Sequence, residues 1–185
     1  MAKIAVVIGS VRPNRIGAQV AEWVAGKAAS VEGVEAQVVD LRELDLPLFA
    51  EELPTAMAAP KEPKAQPWLQ AISEADGVLF VTPEYNHSIP GSLKNALDFL
   101  TPASLAHKGV GIVSYGFTGG VRAAEQLRLI LANFQAATVN AQVILSIPTD
   151  FENMSVFKPA AYHDGEVEKQ TEAVVARSQA LASLR

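Results

Sequence analysis

IAVVIGSVRPNRIG, Ile4 to Gly17, sets five apolar residues directly against a loop of small, polar and cationic ones. Five apolar residues are too few for a membrane span or a secretory signal, and they suit a strand buried on both faces. Lys3 to Ile8 reads as that strand. Ile16, Val20, Trp23, Val24 and Lys27 then fall at helical spacings, so the loop joins a buried strand to a one-sided helix. A strand–loop–helix unit of this kind opens a parallel α/β sheet.

The same alternation continues along the chain. AQVVD, Ala36 to Asp40, reads as a second strand. Five prolines between Leu46 and Pro67 mark a long surface connection, with a helical turn near Glu51. A short helix is expected over Trp68 to Ala75. GVLFV, Gly77 to Val81, forms a third strand that Pro83 stops. Leu93, Ala96, Leu97 and Leu100 mark the next helix, and Gly109 to Ser114 the fourth strand. Val121, Ala124, Leu127 and Leu131 mark a further helix. A fifth strand lies within Thr138 to Leu145, and Val167 to Leu181 forms a terminal helix. The 185 residues, 49% of them apolar, can build the core of one ordinary domain, 1–185, with no internal repeat. The expected class is α/β, a mostly parallel sheet covered on both faces.

Composition narrows the function. The net charge of −5 disfavours nucleic acid as the main partner. The chain has no cysteine, which excludes disulfides, thiolate nucleophiles and thiolate metal sites and fits a cytoplasmic protein. No run is long enough for membrane insertion. A charged fraction of only 19% leaves apolar surface for a partner chain to cover.

Open parallel sheets bind ligands beyond the carboxyl ends of their strands. Three loops leave such ends. In GSVRPNRIG, Gly9 to Gly17, a helix N-terminus offers backbone N–H groups and partial positive charge. Ser10 adds a hydroxyl, Asn14 an amide, and Arg12 and Arg15 forked cationic donors; Gly17 lets the backbone approach closely. This chemistry suits a terminal phosphomonoester. The loop lacks both GxGxxG and GK[ST], so neither a dinucleotide fingerprint nor a Walker A motif is present. Asp40, at the end of the second strand, then reads as a cap or loop acid.

TPEYNHSIPGSLKNALD, Thr82 to Asp98, carries the second loop. Tyr85 can pack beside a planar ring, and Asn86 can pair with ring heteroatoms. Backbone N–H groups around Glu84 to Asn86 could face the pyrimidine side of a flavin and favour the charge that reduction adds. The Glu84 anion would oppose that charge, so it is expected to point away or into a structural hydrogen bond. His87, His107 and His163 sit in no metal-binding pattern and read as surface or hydrogen-bonding histidines. Lys94 and Asp98 have the spacing of a helical ion pair. In the third loop, SYGFTGG, Ser114 to Gly120, Tyr115 and Phe117 supply an apolar wall and Thr118 a polar contact. A phosphate loop combined with planar-ring loops points to FMN.

GSVRPNRIG, PEYNHSIPGSLKNALD and SYGFTGGVRAAEQLR resemble the NADPH-dependent FMN reductase family, which includes quinone and chromate reductases. The resemblance runs over most of the chain. It implies a flavodoxin-like, open, doubly wound five-stranded sheet of order 2-1-3-4-5, with noncovalent FMN and NADPH or NADH as electron donor. It assigns Ser10, Arg12, Arg15, Ile16 and Gly17 to the phosphate loop. Pro83, Glu84, Tyr85 and Asn86 fall in the flavin loop, and Ser114, Tyr115 and Gly116 in the later loop near the flavin. It also implies a homodimer or dimer-based tetramer with flavin sites near subunit interfaces. The implied reaction reduces a quinone, free flavin or similar small acceptor, with no metal and no protein residue acting as nucleophile. An FMN-binding electron-transfer or redox-regulatory protein is the competing reading.

Overall fold

The computed structural model describes residues 1–185. Five parallel strands form one sheet: β1 (Ala2–Ile8), β2 (Val34–Asp40), β3 (Gly77–Pro83), β4 (Gly109–Gly116) and β5 (Ala137–Ser146), in the order β2-β1-β3-β4-β5. The expected order therefore holds. The register sets Val6 beside Val38 on one side and Leu79 on the other.

Alternation along the strands builds two cores. Ala5, Val7, Val78, Phe80, Val110 and Ile112 point to one face. There they meet Trp68 and Ile72 of α3 (Gln66–Glu74), Leu93 and Leu97 of α4 (Gly91–Asp98), and Leu127 and Leu131 of α5 (Val121–Ala132). Ile4, Val6, Ile8, Leu79, Val81 and Val113 point to the other face. Val20 and Val24 of α1 (Gly17–Ala29) and Val167 and Val174 of α7 (Glu166–Ala180) cover them. β3 is buried along its whole length, as a central strand with helices on both faces must be. Trp68 closes its layer by donating its indole N–H to the Ala96 carbonyl at 2.7 Å. The expected Lys94–Asp98 pair forms at 2.7 Å.

Several elements extend beyond their expected bounds. β3 runs on to Pro83, because Pro83 is the last strand residue and still lies in register with Tyr115. β4 likewise continues to Gly116. Pro67 lies in the first turn of α3, where its missing N–H costs no helical bond. β2 gains Val34 and Glu35, which pair with Ala2 and Lys3.

One feature escaped the periodicity altogether. After β5 the chain makes an excursion through α6 (Ile147–Asp150) and a small antiparallel pair, β6 (Phe151–Glu152) and β7 (Val156–Phe157). Gln19 of α1 fastens it, donating to the Ser155 carbonyl and accepting from the Phe157 N–H. The buried His163 ring lies between Asp150, at 3.2 Å, and Glu166, at 2.6 Å, and ties the excursion to the start of α7. Burial works against the Asp150 charge, but N–H donors from Ala160 and Ser146 outweigh it and hold its carboxyl below the ordinary carboxylate range.

Candidate active site

The strand order reverses between β1 and β3, and the loops leaving their carboxyl ends diverge there. A cavity of about 430 Å³ occupies the gap. Arg12, Asn14, Arg15 and Ile16 line it from the first loop, and Pro83, Glu84 and Tyr85 from the second. Tyr115, Gly116, Phe117 and Thr118 come from the third. All three loops singled out in the sequence therefore meet.

The first loop is held by its own side chains. Arg15 is almost fully buried, forms an ion pair with Asp40, and donates to the Ser10 carbonyl at 3.0 Å. Asp40 also accepts the Arg42 N–H at 2.9 Å, capping α2 (Leu41–Leu44). Asp40 is thus a cap, as expected, and a counterion as well. Arg15, expected to be a phosphate donor, has much of its donor capacity committed to the loop. Arg12 remains exposed, with its guanidinium 5.5 Å from the centre of the Tyr85 ring. Ser10 is fully buried and shares a 2.7 Å hydrogen bond with the Tyr85 hydroxyl, so it joins the first two loops rather than lining the cavity.

The second loop is a tight turn. Tyr85 and Ser88 exchange backbone hydrogen bonds of 2.9 and 3.1 Å, with Asn86 and His87 between them at φ 48° and 72°. Two consecutive positive φ values match a type I′ turn. Asn86 and His87 shape this turn and lie outside the cavity lining. Glu84 is carried into an ion pair: its Oε1 accepts the Arg122 Nε at 2.5 Å.

In the third loop, the Ser114 hydroxyl donates to the Gly119 carbonyl at 2.7 Å and accepts from Gln142, which makes it an internal brace. Gly120 has φ 68°, and a side chain there would press on the Tyr115 backbone. Tyr115 reaches back to the start of α1, where the Gly17 N–H is directed at its hydroxyl. Burial, reinforced by the neighbouring Tyr85, pushes the Tyr115 phenol well above its ordinary range and keeps it a neutral O–H. Gly17 lies behind Tyr115, outside the lining, and has no Cβ because the phenol occupies that space.

Eight expected site residues line the cavity: Arg12, Arg15, Ile16, Pro83, Glu84, Tyr85, Tyr115 and Gly116. Ser10, Gly17, Asn86 and Ser114 stand behind it. Arg122, Ile147 and Met154 complete the wall and were not anticipated. Arg122 could have been suspected from its place at the start of a helix after a glycine pair. Ile147 and Met154 arrive on the excursion, which no periodic signal announces.

The donors and walls suit a phosphorylated planar ligand. One end offers the Arg12 cation, the Asn14 amide and the start of α1; the other offers aromatic and small residues. No group of three or more histidine, cysteine, aspartate or glutamate side chains is arranged to hold a metal ion. A doubly wound parallel sheet with such a cavity at its switch point defines a flavodoxin-like nucleotide-binding protein.

Comparison with known proteins identifies the branch. The family model for NADPH-dependent FMN reductase matches residues 2–150. An NAD(P)H-dependent FMN reductase of Schizosaccharomyces pombe is 34% identical over 172 residues, 90% of this chain and 86% of that protein. A quinone reductase of Escherichia coli is 41% identical over 101 residues, about half of each chain at 52% and 53%. The flavoenzyme NAD(P)H:(acceptor) oxidoreductase of Paracoccus denitrificans shares the fold. Its TM-score is 0.69 at 22% identity, covering 98% of this chain and 99% of that one. The chain belongs to the NADPH-dependent FMN reductase family, and is an oxidoreductase that works with FMN and NAD(P)H.

Proposed function

We propose that residues 1–185 act as one FMN-binding domain that oxidises NAD(P)H and reduces a small acceptor, a quinone or free flavin. The observation that carries this reading is the convergence of the three loops on one cavity, cationic at the first loop and aromatic at the others. Arg12, Asn14 and the backbone N–H groups opening α1 would hold the phosphate, with Arg12 supplying the charge that Arg15 shares with Asp40. Tyr115, kept neutral, has a hydroxyl proton to direct at the same group. Tyr85 and Gly116 would flank the ring. FMN held there would supply the hydride-accepting and two-electron chemistry between the nicotinamide and the acceptor. The chain's own part is to position that cofactor, leave the mouth open to small planar molecules, and bias the local charge.

Phe117 and Met154 are largely exposed beside the cavity and form an apolar lip for an aromatic acceptor. The assembly we favour is a homodimer or a dimer-based tetramer. The apolar residues of α4 are taken up by the core, so the helix offers less to a partner than its sequence pattern promised. The proline-rich connection does offer such a surface: Leu48 is 83% exposed and Met57 76%. No helix is long and apolar enough to cross a membrane. We place the work in the cytoplasm, since a cysteine-free chain depends on no disulfide-forming compartment.

The test is direct. Purified protein should be loaded with FMN and mixed anaerobically with NADH and with NADPH. Bleaching of the flavin absorption by at least one of them, and its return on adding a quinone, supports the proposal. Bound FMN that neither nicotinamide reduces would leave an electron carrier in its place.

A further inference from the structure

The charges around the cavity are unevenly compensated. Arg15 is matched by Asp40, and Arg12 is free for an anion. Glu84 is the acidic residue among the lining side chains. Its side chain is only 8% exposed, while that of Arg122, its partner, is 47% exposed. Oε1 takes the guanidinium; Oε2 is buried with no hydrogen-bond partner. A buried, half-satisfied carboxylate is costly, and such groups in native structures call for an explanation. The pair is also held in place. Arg122 donates to the Thr118 hydroxyl at 3.1 Å, and the Glu84 N–H donates to the Tyr115 carbonyl at 3.2 Å.

Solvent screens the exposed member of this pair and leaves the buried one largely unscreened. Reduction of FMN by NAD(P)H moves a hydride, two electrons and one proton, onto the cofactor, and the reduced form favours nearby positive charge. A buried anion in the cavity wall opposes that change, and a guanidinium bound to the anion relieves the opposition. We propose that the Glu84–Arg122 pair is a potential-setting device: Glu84 lowers the reduction potential of the bound cofactor, and Arg122 determines by how much. Neither residue is a nucleophile or a proton donor in this role. Arg122 acts through Glu84 and is a positioning residue. The inference rests on FMN occupying this cavity, as proposed above.

The experiment is a spectroelectrochemical titration of the FMN-loaded protein and of Glu84→Gln, Arg122→Gln and the double variant. Glu84→Gln should raise the midpoint potential and Arg122→Gln should lower it. Each shift should be about tenfold in the ratio of reduced to oxidised cofactor, or ~30 mV for a two-electron couple. The double variant should match Glu84→Gln, because without the buried anion Arg122 has nothing left to compensate. Arg122→Lys should keep most of the native value. If Arg122→Gln does not fold, rising salt serves on the native protein. Screening should weaken the exposed cation more than the buried anion and lower the potential, with a smaller response in Glu84→Gln. Single variants that bind FMN but keep the native potential would overturn the inference. So would a double variant in which the Arg122→Gln shift persists undiminished on top of that of Glu84→Gln. A failure to bind FMN in the native protein would instead refute the function on which it rests.

Discussion

Gly17→Ala should be a damaging small substitution beside the cavity. A Cβ at position 17 would stand inside van der Waals distance of the Tyr115 hydroxyl and 3.0 Å from Cζ. Tyr115 is 3% exposed and packs beside Phe151, which limits how far the ring can swing. Overpacking of a tight interior costs about 1–3 kcal/mol. Alanine regains up to ~1 kcal/mol of helix propensity, since Gly17 opens α1. The net loss should be about 1–2 kcal/mol, which for a chain of this size lowers Tm by roughly 2–8 °C. Affinity for FMN should fall too, because the displaced tyrosine lines the phosphate end. Tyr115→Phe removes the closest atom, so Gly17→Ala should cost much less in that background, with a coupling of about 1 kcal/mol. Thermal unfolding followed by circular dichroism, together with flavin fluorescence titration, measures both effects. A Gly17→Ala protein with native Tm and native affinity would refute the reasoning. Equal costs in the two backgrounds would show that Tyr115 is not the obstacle.

Arg12→Ala should leave Tm nearly unchanged, since Arg12 is exposed, and should raise the Kd for FMN at least about tenfold, the worth of one charge-assisted hydrogen bond; titration of apoprotein checks it. Asp40→Asn keeps a capping side chain for α2 but removes the counterion of Arg15, and should cost about 2 kcal/mol, less than the full penalty for a wholly buried pair. Denaturant unfolding measures that cost. Lys108 donates to the Ile72 and Ser73 carbonyls at 2.6 and 3.0 Å, while burial, aided by Arg185, pulls its pKa down to about 8. Between pH 8 and 10.5 the unfolded chain binds more protons at this site than the folded one, so stability should rise with pH across that window, and Lys108→Met should remove this contribution. Leu48→Glu with Met57→Glu should lower the mass seen by light scattering if the proline-rich connection is a subunit interface.

How far the sequence could be read depended on the kind of signal each element carries. Strands buried on both faces, such as GVLFV, and one-sided helices, such as that of Leu93 and Leu97, follow from local pattern, and their alternation led to the sheet. Loop chemistry led to the cavity, because Arg12, Tyr85 and Gly116 stand at strand ends where the fold must gather them. What stayed hidden depends on contacts distant in sequence. Nothing local to Arg15 announces that Asp40, 25 residues on, shares its charge. Nor does anything local to Asn86 and His87 announce the positive-φ turn that they form. The hairpin that brings Met154 to the rim has strands of two residues each, too short to show a period, and is held by Gln19, Asp150 and His163 from three separate elements.

The central claim, that the cavity at the switch point houses FMN held at its phosphate by the first loop, is tested most directly by binding. Apoprotein should be titrated with FMN and with riboflavin, which has the same ring without the phosphate, while flavin fluorescence is followed. The account predicts saturable binding of one FMN per chain, much weaker binding of riboflavin, and loss of most of that difference in Arg12→Ala. Equal affinity for FMN and riboflavin in the native protein would contradict it, since the ring would then be held without the anion site that the first loop provides.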